Sequence, residues 1–323
     1  MTVSPAPRVT VISAWHNRTD DLEASVRSVL DQEGVDFEFV VVDDRSTDET
    51  GSLLAGIVHP RFRVLRNARN LGFTRSIRRA AAEARGDYIA VHGAGDISAP
   101  GRLAAQVALL DARPDAVAAG TGVVNHDMAT GERLPIDFPP MDSGSTIYTH
   151  GEVMFRRAVY EAVGGYREVF QFAQDADLWR RMGEHGRLLR VDAQLYERRI
   201  FSGGVAGDRS KEVLQAAFSN LGVHAHLERL AGRRDPVDRL NAAALLTQPM
   251  TLRFKARGTY PIKRMLRERR FAEAKAALET VPLGLLTWKL LAVYLALAPF
   301  FPRPAPRSAP PMETWRGPGG DES

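Results

Sequence analysis

The chain has 323 residues, of which 44% are hydrophobic and 25% charged, with a formal net charge of +4. That is globular material for one large domain with appendages, and the charge is too small to argue by itself for a nucleic-acid partner. With no cysteine, disulfides, a thiolate nucleophile and cysteine metal sites are excluded.

The opening residues hold no basic stretch followed by a long apolar core, so a secretory signal is not expected. Residues 8–13 are rich in β-branched side chains and read as a first buried strand. Asp20 or Asp21 can cap the helix behind it, where Leu22, Val26, Val29 and Leu30 recur at helical spacing. Residues 37–42 make a second strand, Leu53, Leu54 and Ile57 mark a second helix, and residues 62–65 a third strand. Asn70-Leu71-Gly72 is a turn before a helix carrying Ile77, Ala80, Ala81 and Ala84, ended by Gly86. A fourth strand at 88–91 runs into His92-Gly93-Ala94-Gly95-Asp96. A helix after Pro100 (Leu103, Val107, Leu110) then leads to a fifth strand near 117–124. Strands alternating with amphipathic helices at this pace predict an α/β fold, a doubly wound and mostly parallel sheet flanked by helices. Residues 126–150 read as a long surface connection. Structure resumes at 151–157, a helix starts near Gln174, and 196–201 is a further short strand.

The stretch 40–50, VVVDDRSTDET, is where an apolar run stops at two carboxylates, Asp43 and Asp44. In open α/β sheets ligands bind beyond the carboxyl ends of the strands, so this acidic tip is a candidate site. Ser46 or Asp44 can equally cap the next helix. Neither G-x-G-x-x-G after the first strand nor a P-loop is present, which removes support for a Rossmann dehydrogenase or a P-loop phosphate site. Asp175 and Asp177 open a helix, where acids suit the macrodipole without any further role.

Taken together, the motifs resemble those of the family-two glycosyltransferases, whose domain has the GT-A fold. Residues 13–17 resemble that family's opening strand and turn, and VVVDDRSTDET its Asp-Asp-Gly-Ser-Thr-Asp signature. Asn70-Leu71-Gly72 with residues 84–90 resembles the approach to its metal motif. Phe155-Arg156-Arg157 with Gly164-Gly165-Tyr166 resembles its acceptor-side segment, and QDADLWRRM its Glu-Asp-x-Asp-Leu-Trp element. The resemblance spans roughly residues 8–206, and several ordered motifs are more specific than any one alone.

This resemblance implies transfer of a sugar from a nucleotide-sugar donor to a hydroxyl acceptor, a glycan or lipid-linked saccharide, with inversion. It places Asp43, with Ala14 and Asp44, at the nucleotide, Asn70 and Gly72 on its border, and Arg75 toward its phosphates. Asp175 becomes the general base, and Gly164, Gly165, Tyr166, Asp177 and Trp179 the acceptor side. A divalent cation, Mg or Mn, is also implied, yet Gly93-Ala94-Gly95-Asp96 stands where Asp-x-Asp-Asp is usual, leaving Asp96 as its remaining ligand. Gln174 replaces a glutamate and Phe201 a histidine. Three readings stay open: Asp96 is the one protein carboxylate on the ion, with diphosphate oxygens and water completing the shell, cations such as Arg75, Arg199 and Arg209 replace it, or the domain is a degenerate nucleotide-sugar-binding partner subunit. His92 is a further candidate ligand or else a strand-end residue.

After residue 207 the pattern is helical and basic up to 280. Residues 281–302, VPLGLLTWKLLAVYLALAPFFP, approach the length of a membrane span but contain Lys289. The adjoining basic residues, among them Arg253, Lys255, Lys263 and Arg267, predict a peripheral position at the cytoplasmic face on an anionic membrane surface. A helix covering an apolar groove of the protein is the alternative. Nucleic acid is not expected, since aromatics are not interleaved with the basic run. Residues 303–323, rich in Pro and Gly, predict a disordered tail.

Overall fold

The computed structural model describes residues 6–138, 148–201, 209–247, 249 and 264–280. The expectations for 281–302, for the tail at 303–323 and for the basic residues at 251–263 lie outside these. So do part of the 126–150 connection and the Arg209 side chain.

Four parallel strands form the half of the sheet that carries the acidic tip: β1 (Val9–Trp15), β2 (Phe37–Asp43), β3 (Phe62–Arg66) and β4 (Tyr88–Val91). They lie in the order β3-β2-β1-β4. Every residue of β1 and β2 is buried, as expected of parallel strands covered on both faces. Alternation then splits the side chains between two cores. Val40 and Val42 pack with Ile12 and Ile77 on one face, and Val41 with Val11, Val26 and Leu103 on the other. The helices supplying these partners are α1 (Leu22–Leu30) for Val26, α3 (Phe73–Ala82) for Ile77 and α4 (Arg102–Ala112) for Leu103, with the short α2 (Thr50–Ala55) between α1 and α3.

Beyond β4 the sheet becomes mixed. A two-residue strand, β5 (Ile97–Ser98), and α4 (Arg102–Ala112) precede β6 (Ala116–Asp127) and β7 (Arg133–Pro135). Then come β8 (Met154–Arg156), α5 (Arg157–Ala162), α6 (Gln174–Gly183) and β9 (Arg187–Ile200). The order continues β4-β8-β6-β9-β5, with β8 antiparallel to both neighbours and β6 parallel to β9. A 22-residue helix, α7 (Arg209–Leu230), seats Phe218, Leu221 and Ala225 against Phe170 and Val237.

Several local expectations are corrected. The strand foreseen at 196–201 is the end of the 14-residue β9. The connection at 126–150 contains β7 and the last turn of pairing of β6, because Asn125 and His126 register with Leu134 and Arg133. Asp21 occupies the N-cap of α1 with a left-handed φ of 55° and makes no side-chain cap bond. Gly86 does not end α3, whose C-cap is Glu83. A Cβ at Gly86 would fall 2.6 Å from the Thr10 backbone nitrogen, so glycine is needed there for close approach to β1.

Candidate active site

The chain runs outward through β1, β2 and β3 and restarts with β4 on the other side of β1, which makes the gap between β1 and β4 the topological switch point. The carboxyl ends of β1, β2 and β4, the loop at 67–72 and the start of α6 supply the site.

The two acids at the tip of β2 divide their work. Asp44 is 3% exposed and fully engaged: its oxygens accept from the backbone N–H of Leu71 at 2.8 Å, of Gly72 at 2.8 Å and from Asn67 Nδ2 at 2.7 Å. It therefore shapes the loop leading into α3. Asp43 is 1% exposed; its Oδ1 accepts from Ser46 N–H at 2.9 Å. Its Oδ2 lies 3.1 Å from Arg66 Nε as an ion pair, but off the N–H direction, so that this buried oxygen lacks a hydrogen bond. A buried carboxylate oxygen in that state is poised for a ligand N–H. Gly51 closes it in, since a Cβ there would lie 2.8 Å from Asp43 Oδ2. Ser46 caps no helix; its Oγ accepts from Asn17 N–H at 3.1 Å and ties the β1 turn to the β2 turn.

Ala14, 8% exposed, is the next-to-last residue of β1, before the buried Trp15. Asn70 reaches across to His16, with 3.0 Å between Nδ2 and Nε2, and Gly72 sits exposed with φ 84°. Arg75 points instead to Glu168, at 2.9 Å, and both are about half exposed.

At α6 the helical period separates the other two acids. Asp175 stands in the first turn, partly exposed, its Oδ1 accepting from Ala176 N–H at 2.8 Å. Its charge acts on His150 and Tyr166, which meet at 2.7 Å between Nε2 and the hydroxyl. Burial lowers the His150 pKa, against the pull of Asp175, and so keeps that imidazole neutral near pH 7. Phe73 and Trp179 pack against the same ring. His150 had no signal in the sequence; a single histidine in an irregular segment carries no spacing to recognise.

Asp177, two residues on, points to the interior and is 1% exposed. It accepts from Arg181 Nη2 at 2.8 Å and Nε at 3.0 Å. Of the five residues expected on the acceptor side, Gly164 is exposed, whereas Gly165, Tyr166, Asp177 and Trp179 are buried. Tyr166 and Trp179 pack there against His150. Gly165, with φ 66°, has Tyr160 where a Cβ would go, at 2.7 Å.

The end of β4 does not assemble a cation cage. Asp96 Oδ2 accepts from the Tyr196 hydroxyl at 2.7 Å and Oδ1 from Arg199 N–H at 2.9 Å. Burial, opposed by those two bonds, pushes its carboxyl up to about 6. A divalent ion needs several hard oxygens. Among the described residues no group of three or more His, Asp or Glu side chains is arranged to hold one without the help of a ligand, and Asp96 is turned to Tyr196 and Arg199. His92 is a strand-end residue, held between Ser25 Oγ at 3.0 Å and Ser98 Oγ at 3.1 Å. Burial and the nearby Arg102 lower its pKa to about 3.

Glu152, fully buried behind the site, is pushed up to about 8 by burial, though Thr149 donates to it through N–H and hydroxyl. The folded chain thus holds this proton more tightly than the unfolded chain, whose value is 4.5, and stability falls as pH rises from there toward about 8. Glu152→Gln removes the titration. Melts should show the variant gaining on wild type between about pH 5 and about pH 9; a difference independent of pH would refute the assignment.

The family model for glycosyl transferase family 2 matches residues 10–164. A putative glycosyltransferase of Bacillus subtilis, EpsE, is 30% identical over 219 residues, covering 62% of this chain and 79% of the relative. The succinoglycan biosynthesis protein ExoO of Rhizobium meliloti is 37% identical over 128 residues, 40% of this chain and 36% of its own length. Among solved structures, the mannosyltransferase PcManGT of Pyrobaculum calidifontis, in complex with GDP-Man and Mn2+, superposes with a TM-score of 0.55 at 19% identity. That match covers 91% of this chain and 81% of the other. S. aureus TarS, residues 1–349 with UDP-GlcNAc, gives 0.55 at 16% identity, covering 90% and 88%. At such identities these two structures share the GT-A fold with the chain.

Among the described residues no helix is long and apolar enough to cross a membrane.

Proposed function

We propose, from the premise that the chain belongs to glycosyl transferase family 2, a transferase that takes its sugar from a nucleoside diphosphate donor and passes it to a hydroxyl acceptor. The transferase domain is assigned to residues 8–206, and the described helices after it, among them α7, to a C-terminal extension. The observation that carries the donor assignment is Asp43: a buried carboxylate oxygen without a hydrogen-bond donor, at the tip of a central strand. A nucleobase N–H suits it. Asp175, near enough to His150 for its charge to act there, serves as the base that takes the acceptor proton, with inversion at the sugar carbon. The product is a surface glycan or a lipid-linked saccharide made at the cytoplasmic face, a reading supported by the naming of ExoO for polysaccharide synthesis and by the basic C-terminal residues.

A thermal-shift panel of UDP- and GDP-sugars tests this. A donor present at a hundred times its Kd adds about 2.7 kcal/mol to stability, a rise in Tm of roughly 5 °C or more. One donor should stand out. A flat response across the panel overturns the reading.

A further inference from the structure

The resemblance sets metal-binding carboxylates at Gly93 and Gly95 and a histidine at Phe201, and the structure shows why neither carboxylate can simply be restored. A Cβ at Gly93 would lie 2.2 Å from Asp96 Oδ2 and 2.9 Å from its Cγ. A carboxylate there is incompatible with Asp96 turned inward to Tyr196 and Arg199. Gly95 has φ +88°, and a Cβ on it would approach Phe201 Cε2 to 3.3 Å and Arg18 Cδ to 3.7 Å. The loss of ligands is thus part of a rebuilt corner, in which Asp96 has become internal and an aromatic ring stands at the strand end.

A cation rests on that ring. Arg18 Cζ lies 4.1 Å from the centroid of Phe201. Arg18 follows the turn after β1, and its backbone N–H is fixed by Thr50 Oγ1 at 2.8 Å. Its side chain is therefore placed at the switch point, between the ends of β1 and β4. Among the described residues it forms no ion pair, although its charge acts on the buried Asp96; three other arginines near the site are paired. Arg66 is taken by Asp43, Arg75 by Glu168, and Arg199 by Asp21 and Glu197.

We propose that Arg18, stacked on Phe201, binds the diphosphate of the donor and supplies the positive charge that a divalent ion held at 93–96 would otherwise supply. The proposal rests on the transferase reading above. In the transfer step the bond from the sugar C1 to the β-phosphate oxygen breaks and its electron pair stays on that oxygen. The acceptor oxygen bonds to C1 and its proton passes to Asp175. The charge left on the diphosphate meets the planar guanidinium, which offers two parallel N–H groups to phosphate oxygens. Phe201 holds the guanidinium by cation–π contact and leaves its donors outward.

Calorimetric titration of the full chain with UDP and GDP, and with UMP and GMP, decides it. Wild type should bind one diphosphate equally well in EDTA and in Mn2+. Arg18→Met should weaken the diphosphate by about tenfold or more in EDTA while changing the monophosphate little, and Arg18→Lys should restore part of the loss. The monophosphate doubles as the check that the variant is folded. Wild-type diphosphate binding that collapses in EDTA, or that is untouched by Arg18→Met, overturns the proposal while sparing the transferase reading. If wild type binds no nucleotide in either buffer, the transferase reading itself fails and this proposal with it.

Discussion

Asp175→Asn is expected to slow sugar transfer by about 10²- to 10⁴-fold, the usual contribution of a positioned general base. The amide keeps the size and the bond to Ala176 N–H but cannot accept the acceptor proton. UDP and GDP affinity should be unchanged, because Asp43 and Arg18, the residues proposed for the nucleotide, keep their own partners. Single-turnover transfer with the preferred donor, run beside the nucleotide titration, reads both quantities. A variant transferring at the wild-type rate would remove Asp175 from the mechanism. The effect should appear in kcat rather than KM, since the interaction lost is one made in the transition state.

The second large effect is on stability. Arg181→Met should cost about 3–5 kcal/mol, the range for removing one partner of a buried ion pair. Arg181 is 4% exposed and Asp177 1%, so the abandoned carboxylate would stay in the interior, with Arg167 Nη1 3.8 Å away as its remaining cation. The same guanidinium donates to the carbonyls of Val163 at 2.7 Å and Gly165 at 2.8 Å, so its loss also frees the turn that carries Tyr166. Tyr166 in turn holds His150, and loosening it should reach the Asp175 environment. Urea unfolding measures the cost; a change below about 1 kcal/mol would place Arg181 among ordinary surface arginines.

Local pattern and tertiary placement contribute differently at each of these residues. The alternation of apolar runs with helical periods made β1 to β4 legible, because burial on both faces leaves a continuous hydrophobic run in the chain. It also located the strand tip at Asp43 and Asp44. It had no means of separating them: they are the same residue type one position apart, and which oxygen meets a backbone N–H depends on the loop at 67–72. Asp175 and Asp177 pose the same problem on a helix, where a two-residue step turns one carboxylate to the site and the other to Arg181. Arg18 and Phe201 meet only through the sheet, 183 positions apart in the chain.

The order of motifs along the chain was enough to establish an α/β sheet of the GT-A kind and to single out the acidic strand end proposed for the nucleotide. Those follow from hydrophobic period and from residue types kept at fixed spacing, and both are local properties. The partners of each charge were decided by the fold alone. Asp44 is bonded to the loop at 67–72, Asp43 is left with a bare oxygen, Asp96 is turned inward against Gly93, and Arg18 rests on an aromatic ring without an ion pair. A buried charge takes its state from whatever long-range packing brings to it, and no spacing in the sequence records that.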